Sequence, residues 1–256
     1  MTKCENGKMQ AMIFAAGLGT RLKPLTDTMP KALVPLAGKP LLQWQVEKLR
    51  DAGITDIIVN VHHFPDQIID TIRRNNGWGC NILISDERDQ LLDTGGGLRK
   101  AQRLLMENGK WKMENGPVLA CNVDILSNID IKALVGRYAQ TGISQLVVSE
   151  RQTQRYLCFD EQNTLCGWTN IATGELKGHD GRHLAFSGLQ ILSPEVLNRL
   201  DEMPESKFSL IDFYLSIMDK ESLHAFVPTD YRMMDVGKID QIAEAEAFAQ
   251  GLNSKK

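Results

Sequence analysis

Along the first half of the chain, short apolar runs alternate with amphipathic stretches, the rhythm of strands and helices taking turns. "QAMIFAA" (Gln10–Ala16) is a continuous apolar run and predicts a buried strand. After a long loop, "GKPLLQWQVEKLRDAG" carries Leu41, Leu42, Val46 and Leu49 as a helical stripe, with Pro40 suited to a first helical position and Gly53 to the cap. "DIIVNV" (Asp56–Val61) reads as the next strand, "PDQIIDTIRRNNG" as a helix to Gly77, "NILISDE" (Asn81–Glu87) as a strand and "GLRKAQRLLMEN" (Gly97–Asn108) as a helix. "PVLACNVD" (Pro117–Asp124) predicts a further buried strand, followed by the helix "IDIKALVGRYAQTG". Four strand–helix steps in succession predict an α/β fold with a doubly wound, mostly parallel, Rossmann-like sheet.

From about Ser144 the spacing changes. "SQLVVSE", "YLCFDEQNTLCGW" and "HLAFSGLQILS" are strand-rich, the middle one reading as a hairpin around Gln162–Asn163, and this part as a whole is expected to cover the open side of the sheet. "SLIDFYLSIMDKES" and "IDQIAEAEAFAQG" read as helices, the second ending at Gly251. With no repeat and no long linker, residues 1–256 are expected to form one domain: a first half over about 9–143, a strand-rich half over about 144–238 and a C-terminal helix over 239–256.

Composition narrows the class. The 256 residues are 43% hydrophobic and 24% charged, enough for a sizeable core, and the net charge of −3 argues against a general nucleic-acid binder. Any phosphate must then be met by a few placed cations. Five cysteines (Cys4, Cys80, Cys121, Cys158, Cys166) without a C-x-x-C pair suggest neither a zinc site nor a disulfide framework, and are read as reduced structural thiols. The N-terminal "MTKCENGKMQ" lacks the apolar stretch of a signal peptide, and no window is long and apolar enough for a membrane span, so the protein is expected in the cytoplasm, away from membranes.

The chemistry begins at "FAAGLGTRL". A dinucleotide fingerprint needs a third glycine where Leu22 stands, and a Walker loop needs G-K-[ST] where Thr20 and Arg21 stand. What survives is a Gly17-x-Gly19 turn at the carboxyl end of the first strand, where bare backbone N–H groups can approach an anion and where open α/β sheets bind ligands. Arg21 and Lys31 frame the loop that follows, Lys31 behind Pro30; taken singly, each also fits an exposed surface charge.

The stretch "AAGLGTRLKPLTDTMPKALVPLAGKP" (Ala15–Pro40) resembles the G-x-G-T-R…P-K signature of sugar-1-phosphate nucleotidyltransferases, the nucleoside-diphosphate-sugar pyrophosphorylases, and the match continues in order through "LLDTGGGL", "LACNVD", "AFSGLQIL" and "MMDVG". The resemblance implies a GT-A-like fold with a nucleotide-binding first half and a sugar-binding second half. It implies an enzyme that joins a nucleoside triphosphate to a sugar 1-phosphate and releases pyrophosphate, working as a monomer or homodimer. Within the family the segments are most similar to N-acetylmuramate-1-phosphate uridylyltransferases of cell-wall sugar recycling. A mannose- or heptose-1-phosphate guanylyltransferase using GTP is the alternative, and a non-catalytic nucleotide- or sugar-binding regulator stays open as a different class.

By that resemblance Ala16, Gly17, Leu18, Gly19 and Thr20 cradle the triphosphate, Arg21 holds the leaving pyrophosphate, and Lys31 bridges the α-phosphate and the incoming sugar phosphate. Two like charges about 4 Å apart repel by roughly 4 kcal/mol at an effective dielectric near 20, so cations are needed to bring the reactants together. Asp124 and Asp235 are implied to hold Mg2+, a hard cation suited to carboxylate oxygens; an Asp in the place of Asp124 also fits a helix cap. Gly95, Gly96 and Gly97 place a base or ribose against bare backbone, with Asp86 or Glu87 nearby, or else form a plain N-terminal turn. Ser187 and Gly188 resemble the segment that passes the sugar, or an ordinary strand with a glycine bulge; Asn170 is a further sugar candidate.

Two departures from the family pattern stand out: Val123 replaces the glycine before the metal Asp, and Lys238 replaces the Thr after "DVG". No Glu-Lys-Pro sugar motif is present. His62 and His63 are adjacent strand residues whose side chains point to opposite faces, so they are not expected to chelate together. Trp78, Trp111 and Trp168 are expected to serve packing.

Overall fold

A computed structural model of the chain describes residues 9–107 and 116–253. Cys4 and Trp111 therefore lie outside the described residues. The strands and helices of the first part are β1 (Gln10–Phe14), β2 (Pro35–Leu36), β3 (Lys39–Pro40), α1 (Leu41–Asp51), β4 (Asp56–Val61), α2 (Pro65–Arg74), β5 (Asn81–Asp86) and α3 (Asp93–Glu107). They are followed by β6 (Val118–Asn122), β7 (Ile125–Ser127), α4 (Ile131–Thr141), β8 (Ser144–Ser149), β9 (Arg155–Phe159), β10 (Leu165–Asn170) and β11 (Glu175–Gly178). The last are β12 (Arg182–Leu192), α5 (Pro194–Asn198), α6 (Leu210–Ile217), β13 (Leu223–Phe226), β14 (Met233–Asp235) and α7 (Ile242–Asn253).

The chain divides into two compact units, and the division does not follow the predicted break near residue 143. One unit comprises Met9–Leu91, Cys121–Ile129 and Arg232–Lys256; the other contains Leu92–Ala120 and Asp130–Tyr231. The backbone passes from one to the other within β6, so the segments 92–120 and 130–143, assigned by sequence to the first half, belong with the strand-rich part.

In the first unit β1 pairs in parallel with β4, and β4 with β5, with α1 and α2 in the connections, as the apolar runs predict for β-α-β units. All of β1 is buried, as are the last five residues of β4. Against them α1 lays Leu41, Leu42, Val46 and Leu49, each almost fully removed from water. Pro40 stands one place earlier than predicted, as the residue that caps α1 in extended conformation. In the same unit β14 pairs antiparallel with β7, a contact between segments more than a hundred residues apart with no local sequence signal.

The other unit is mostly antiparallel. There β12 pairs with both β8 and β9, β9 with β10 and β10 with β11, while β13 adds to β8 in parallel. The predicted hairpin is β9–β10, and its turn contains Asn163 at φ 60, a left-handed conformation that Asn tolerates. Phe159, Phe213 and Tyr214 are the largest side chains fully buried in this unit. Asp130 caps α4 by accepting from the N–H groups of Lys132 and Ala133.

Candidate functional site

The glycine turn lies where the sequence places it, just beyond β1. Asn60, near the end of β4, builds its base: its Oδ1 accepts from Ala15 N at 2.7 Å, and its Nδ2 donates to Glu87 Oε1 at 2.8 Å. One buried amide thus ties together the carboxyl ends of all three parallel strands. Sequence reasoning missed Asn60, although a lone Asn inside "DIIVNV" was its signal. Glu87 differs from its expected role. It is buried with its carboxylate toward Asn60, so it braces the strand ends instead of offering an open contact, while Asp86 pairs with Arg88.

Ala16 is buried beneath the turn, and Leu18 and Thr20 are exposed on it. The N–H groups of Gly17, Leu18, Gly19 and Thr20 have no acceptor among the described residues. Successive free amides of this kind form an anion-binding concavity. Gly19 takes the left-handed conformation (φ 65), and its carbonyl accepts from Leu22 N and from Thr26 Oγ1, both at 2.8 Å. A β-carbon at Gly19 would stand 2.8 Å from Thr26 Cγ2 and 3.1 Å from Lys31 Cβ, so only glycine permits this turn beside that lysine.

Lys31 opens a short helical turn after the extended Pro30 and is buried, its ammonium in direct contact with Asp124 Oδ2. Asp124 lies in the turn between β6 and β7 rather than on the strand predicted to end there. That turn is fixed on both sides: Val123 N donates to Phe14 O at 3.1 Å, and Val236 N donates to Asp124 O at 2.9 Å. The β7–β14 pairing sets Asp235 opposite Ile125, one register position from Asp124. Gly237 marks where the charges converge: a β-carbon there would lie 2.9 Å from Asp235 Oδ1 and 3.1 Å from Arg21 Nη2. The structure therefore brings together Arg21, Lys31, Asp124 and Asp235. Val123 sends its side chain into the core, and Lys238 is exposed.

Two further residues support this hairpin from α1. Gln45 Nε2 donates to Ile125 O at 2.6 Å, and Lys48 Nζ donates to Ser127 O at 3.0 Å and Ser127 Oγ at 2.7 Å. Burial pushes the Lys48 ammonium down to about 8. Both were overlooked, yet they stand four and seven places after the buried Leu41, on its helix face.

Gly95, Gly96, Asn170, Ser187 and Gly188 lie in the antiparallel unit. Gly95 and Gly96 form the first turn of α3, which begins at Asp93 rather than Gly97. Their N–H groups both donate to Phe208 O; a β-carbon on Gly95 would meet the Phe208 ring at 2.4 Å, and one on Gly96 would meet Ser206 O at 2.3 Å. The close approach they permit within the chain is to Phe208 and Ser206. Ser187 is buried in β12, its hydroxyl without a partner among the described residues. Gly188 (φ 64) sits where the β12–β8 register shifts, which is the glycine bulge. Asn170 uses its Oδ1 to accept from Ala172 N and so shapes the β10–β11 turn. His62 and His63 part as expected, His62 toward Glu87 O and His63 toward Thr26 O. The four described cysteines are unpaired thiols. No helix among the described residues is long and apolar enough to cross a membrane.

A family model described as nucleotidyl transferase matches residues 10–251. The chain is 45% identical to an N-acetylmuramate alpha-1-phosphate uridylyltransferase of Caulobacter vibrioides, with 80% of this chain and 82% of that one covered. It is 32% identical to a protein of the same name from Neisseria meningitidis, with 94% and 98% covered. A mannose-1-phosphate guanyltransferase 2 of Candida glabrata is 28% identical, with 96% of this chain and 66% of that one covered. Among solved structures, a UDP-glucose pyrophosphorylase complexed with UDP-glucose superposes with a TM-score of 0.76 at 19% identity, covering 95% of this chain and 99% of that one, a likeness of fold.

Proposed function

Since the chain belongs to the nucleotidyl transferase family and is a sugar-1-phosphate nucleotidyltransferase, we propose that it joins UTP to N-acetylmuramate 1-phosphate with release of pyrophosphate. The observation that carries the reading is the contact of buried Lys31 with half-buried Asp124 beside a turn of unpartnered amides. Uridylyl transfer to this sugar is supported by the names of the 45% and 32% identical relatives; guanylyl transfer rests on relatives at 28%.

In the proposed reaction an oxygen of the sugar phosphate forms the new bond to the α-phosphorus, and the bond from that phosphorus to the bridging oxygen breaks, its electron pair leaving with pyrophosphate. No general base is required, because a sugar phosphate is already ionised at neutral pH. The free amides of Gly17–Thr20 hold phosphate oxygens, Lys31 offsets the repulsion between the two anions, and Arg21 neutralises the departing pyrophosphate. Asp124 and Asp235 fit a divalent metal: two hard carboxylates set one register position apart by strand pairing, facing a cationic side chain. Asp124 and Asp235 would hold Mg2+, which would supply neutralisation of phosphate charge.

Pyrophosphate release with Mg2+, measured over a panel of nucleoside triphosphates and sugar 1-phosphates, tests the reading. UTP with N-acetylmuramate 1-phosphate is expected to react fastest. Preference for GTP with a mannose or heptose 1-phosphate would replace it with the guanylyl reading, and no turnover with any pair would favour a binding regulator. Asp124→Asn is expected to lose at least about a hundredfold in turnover, the scale of one lost electrostatic contact to the transition state; undiminished rates would remove Asp124 from the metal site.

A further inference from the structure

A thiol, an imidazole and a carboxylate meet in the antiparallel unit, outside the stretches that resemble the family signature. Cys158 on β9 and His183 on β12 are directly paired across the antiparallel ladder, so their side chains leave the same face of the sheet. Asp180, in the connection from β11 into β12, joins them there, and one ligand atom from each of the three residues lies within 4.8 Å of the other two. Asp180 Oδ1 is the centre of the group: it is 2.6 Å from His183 Nε2 and 4.0 Å from Cys158 Sγ, and it accepts from Gly181 N at 2.9 Å. The thiol is buried while the carboxylate and the imidazole are exposed, which gives the group a buried floor and an open rim.

The backbone holds this arrangement closely. His179 N donates to Cys166 O at 2.8 Å, and a β-carbon on Gly181 would overlap Phe159 O and stand 3.2 Å from Cys166 Sγ, so the connection that carries Asp180 is pressed onto β9 and β10. Tyr156, two places before Cys158 and on the same face of β9, stacks on the His183 ring with centroids 5.7 Å apart and so orients the imidazole. Sulfur, nitrogen and carboxylate oxygen together suit Zn2+, whereas Mg2+ takes oxygen ligands alone. Around a tetrahedral Zn2+ the ligand atoms stand about 3.3–3.6 Å apart, so the His183–Asp180 contact would open and the Cys158–Asp180 gap would close, each by less than about 1 Å. We infer that Cys158, Asp180 and His183 bind Zn2+, the Cys158 proton passing to solvent as the thiolate forms and the fourth position going to water. The ion ties β9 to β12 and to the connection before it, and the inference is independent of the proposed reaction. Cysteine spacing gave no sign of the site, because its ligands come from three segments and only one of them is a cysteine.

Zn2+ and Co2+ are the probes, added to the whole protein kept reduced by a phosphine, with excess Mg2+ present to fill the Asp124–Asp235 pair. Co2+ adopts the coordination of Zn2+ and, bound to a thiolate, shows a charge-transfer band in the near ultraviolet. A single Co2+ per chain is expected, with that band, and Zn2+ is expected to displace it. Cys158→Ser is expected to abolish the band. His183→Gln and Asp180→Asn are each expected to weaken Zn2+ binding at least about tenfold. Both replace exposed side chains, so they decide the question where loss of the buried thiol disturbs the fold, with circular dichroism of the metal-free variants as the check. Absence of stoichiometric binding, a band that survives in folded Cys158→Ser, or unchanged affinity in both exposed variants overturns the inference and leaves His183 and Asp180 as an ordinary surface hydrogen bond.

Discussion

Lys48 offers the sharpest physical test of how the Asp124 hairpin is supported. Its ammonium is held by the carbonyl and hydroxyl of Ser127 and, among the described residues, by no carboxylate. Burial therefore lowers it from 10.5 to about 8, which means that the charged form costs the folded state about 3 kcal/mol. Between those values the folded protein binds fewer protons than the unfolded chain, so this group makes stability rise with pH through the window and leaves the full cost in place below it. From pH 7.5 to 9 the gain works out to about 1 kcal/mol. From about pH 8 a neighbour opposes it: burial pushes the Cys121 thiol up to about 12, so the folded state keeps a proton that the unfolded chain gives up, and stability falls. Both proteins in the comparison carry Cys121, so the difference between them reads Lys48. Urea unfolding of the wild type and Lys48→Met at pH 7.5 and pH 9 is expected to show the wild type gaining on the variant by about 1 kcal/mol between the two conditions. A difference that stays constant within about 0.3 kcal/mol would refute a buried, uncompensated ammonium.

Two other changes probe the loop. Gly19→Ala places a β-carbon in the left-handed region and against Thr26 and Lys31, and is expected to cost about 1–2 kcal/mol and to lower turnover at least about tenfold. Gly17→Ala, whose β-carbon meets nothing, is expected to stay within about 0.5 kcal/mol of the wild type in the same unfolding assay, and equal losses would refute the contact argument. Asn60→Leu strands the Ala15 N–H and removes a donor from the buried Glu87 carboxylate, and is expected to cost about 1–3 kcal/mol; a loss below about 0.5 kcal/mol would show that the amide does not tie the strand ends.

What could be read in advance follows the range of the interactions involved. The stripe of Leu41, Leu42, Val46 and Leu49 and the run Asp56–Val61 are periodic within a few residues, and both elements lie where the pattern placed them. The Gly17–Gly19 turn and Lys31 were legible because a turn after a buried strand is a local event. The pairing of β7 with β14 was not, since two three-residue strands from distant parts of the chain carry no period of their own. Asp124 and Asp235 were named as candidates, but only that pairing makes them neighbours. The glycines at 95 and 96 show a different limit: their missing side chains announced a close approach but not its partner, which proved to be Phe208 and Ser206.

The same logic explains why the supporting residues were harder to find than the charged ones. Asn60, Gln45 and Lys48 are polar groups on otherwise apolar faces, where each fulfils the requirement that a buried main-chain donor or acceptor be satisfied. Ala15, Ile125 and Ser127 are the recipients, and they belong to the strand ends and the hairpin that carry the glycine turn and Asp124. A loop of unpartnered amides beside a buried ammonium and two carboxylates is held in place only if its surroundings are fully bonded. A polar residue interrupting an apolar stripe near such a loop is therefore a signal for the support of a site, as distinct from the site itself.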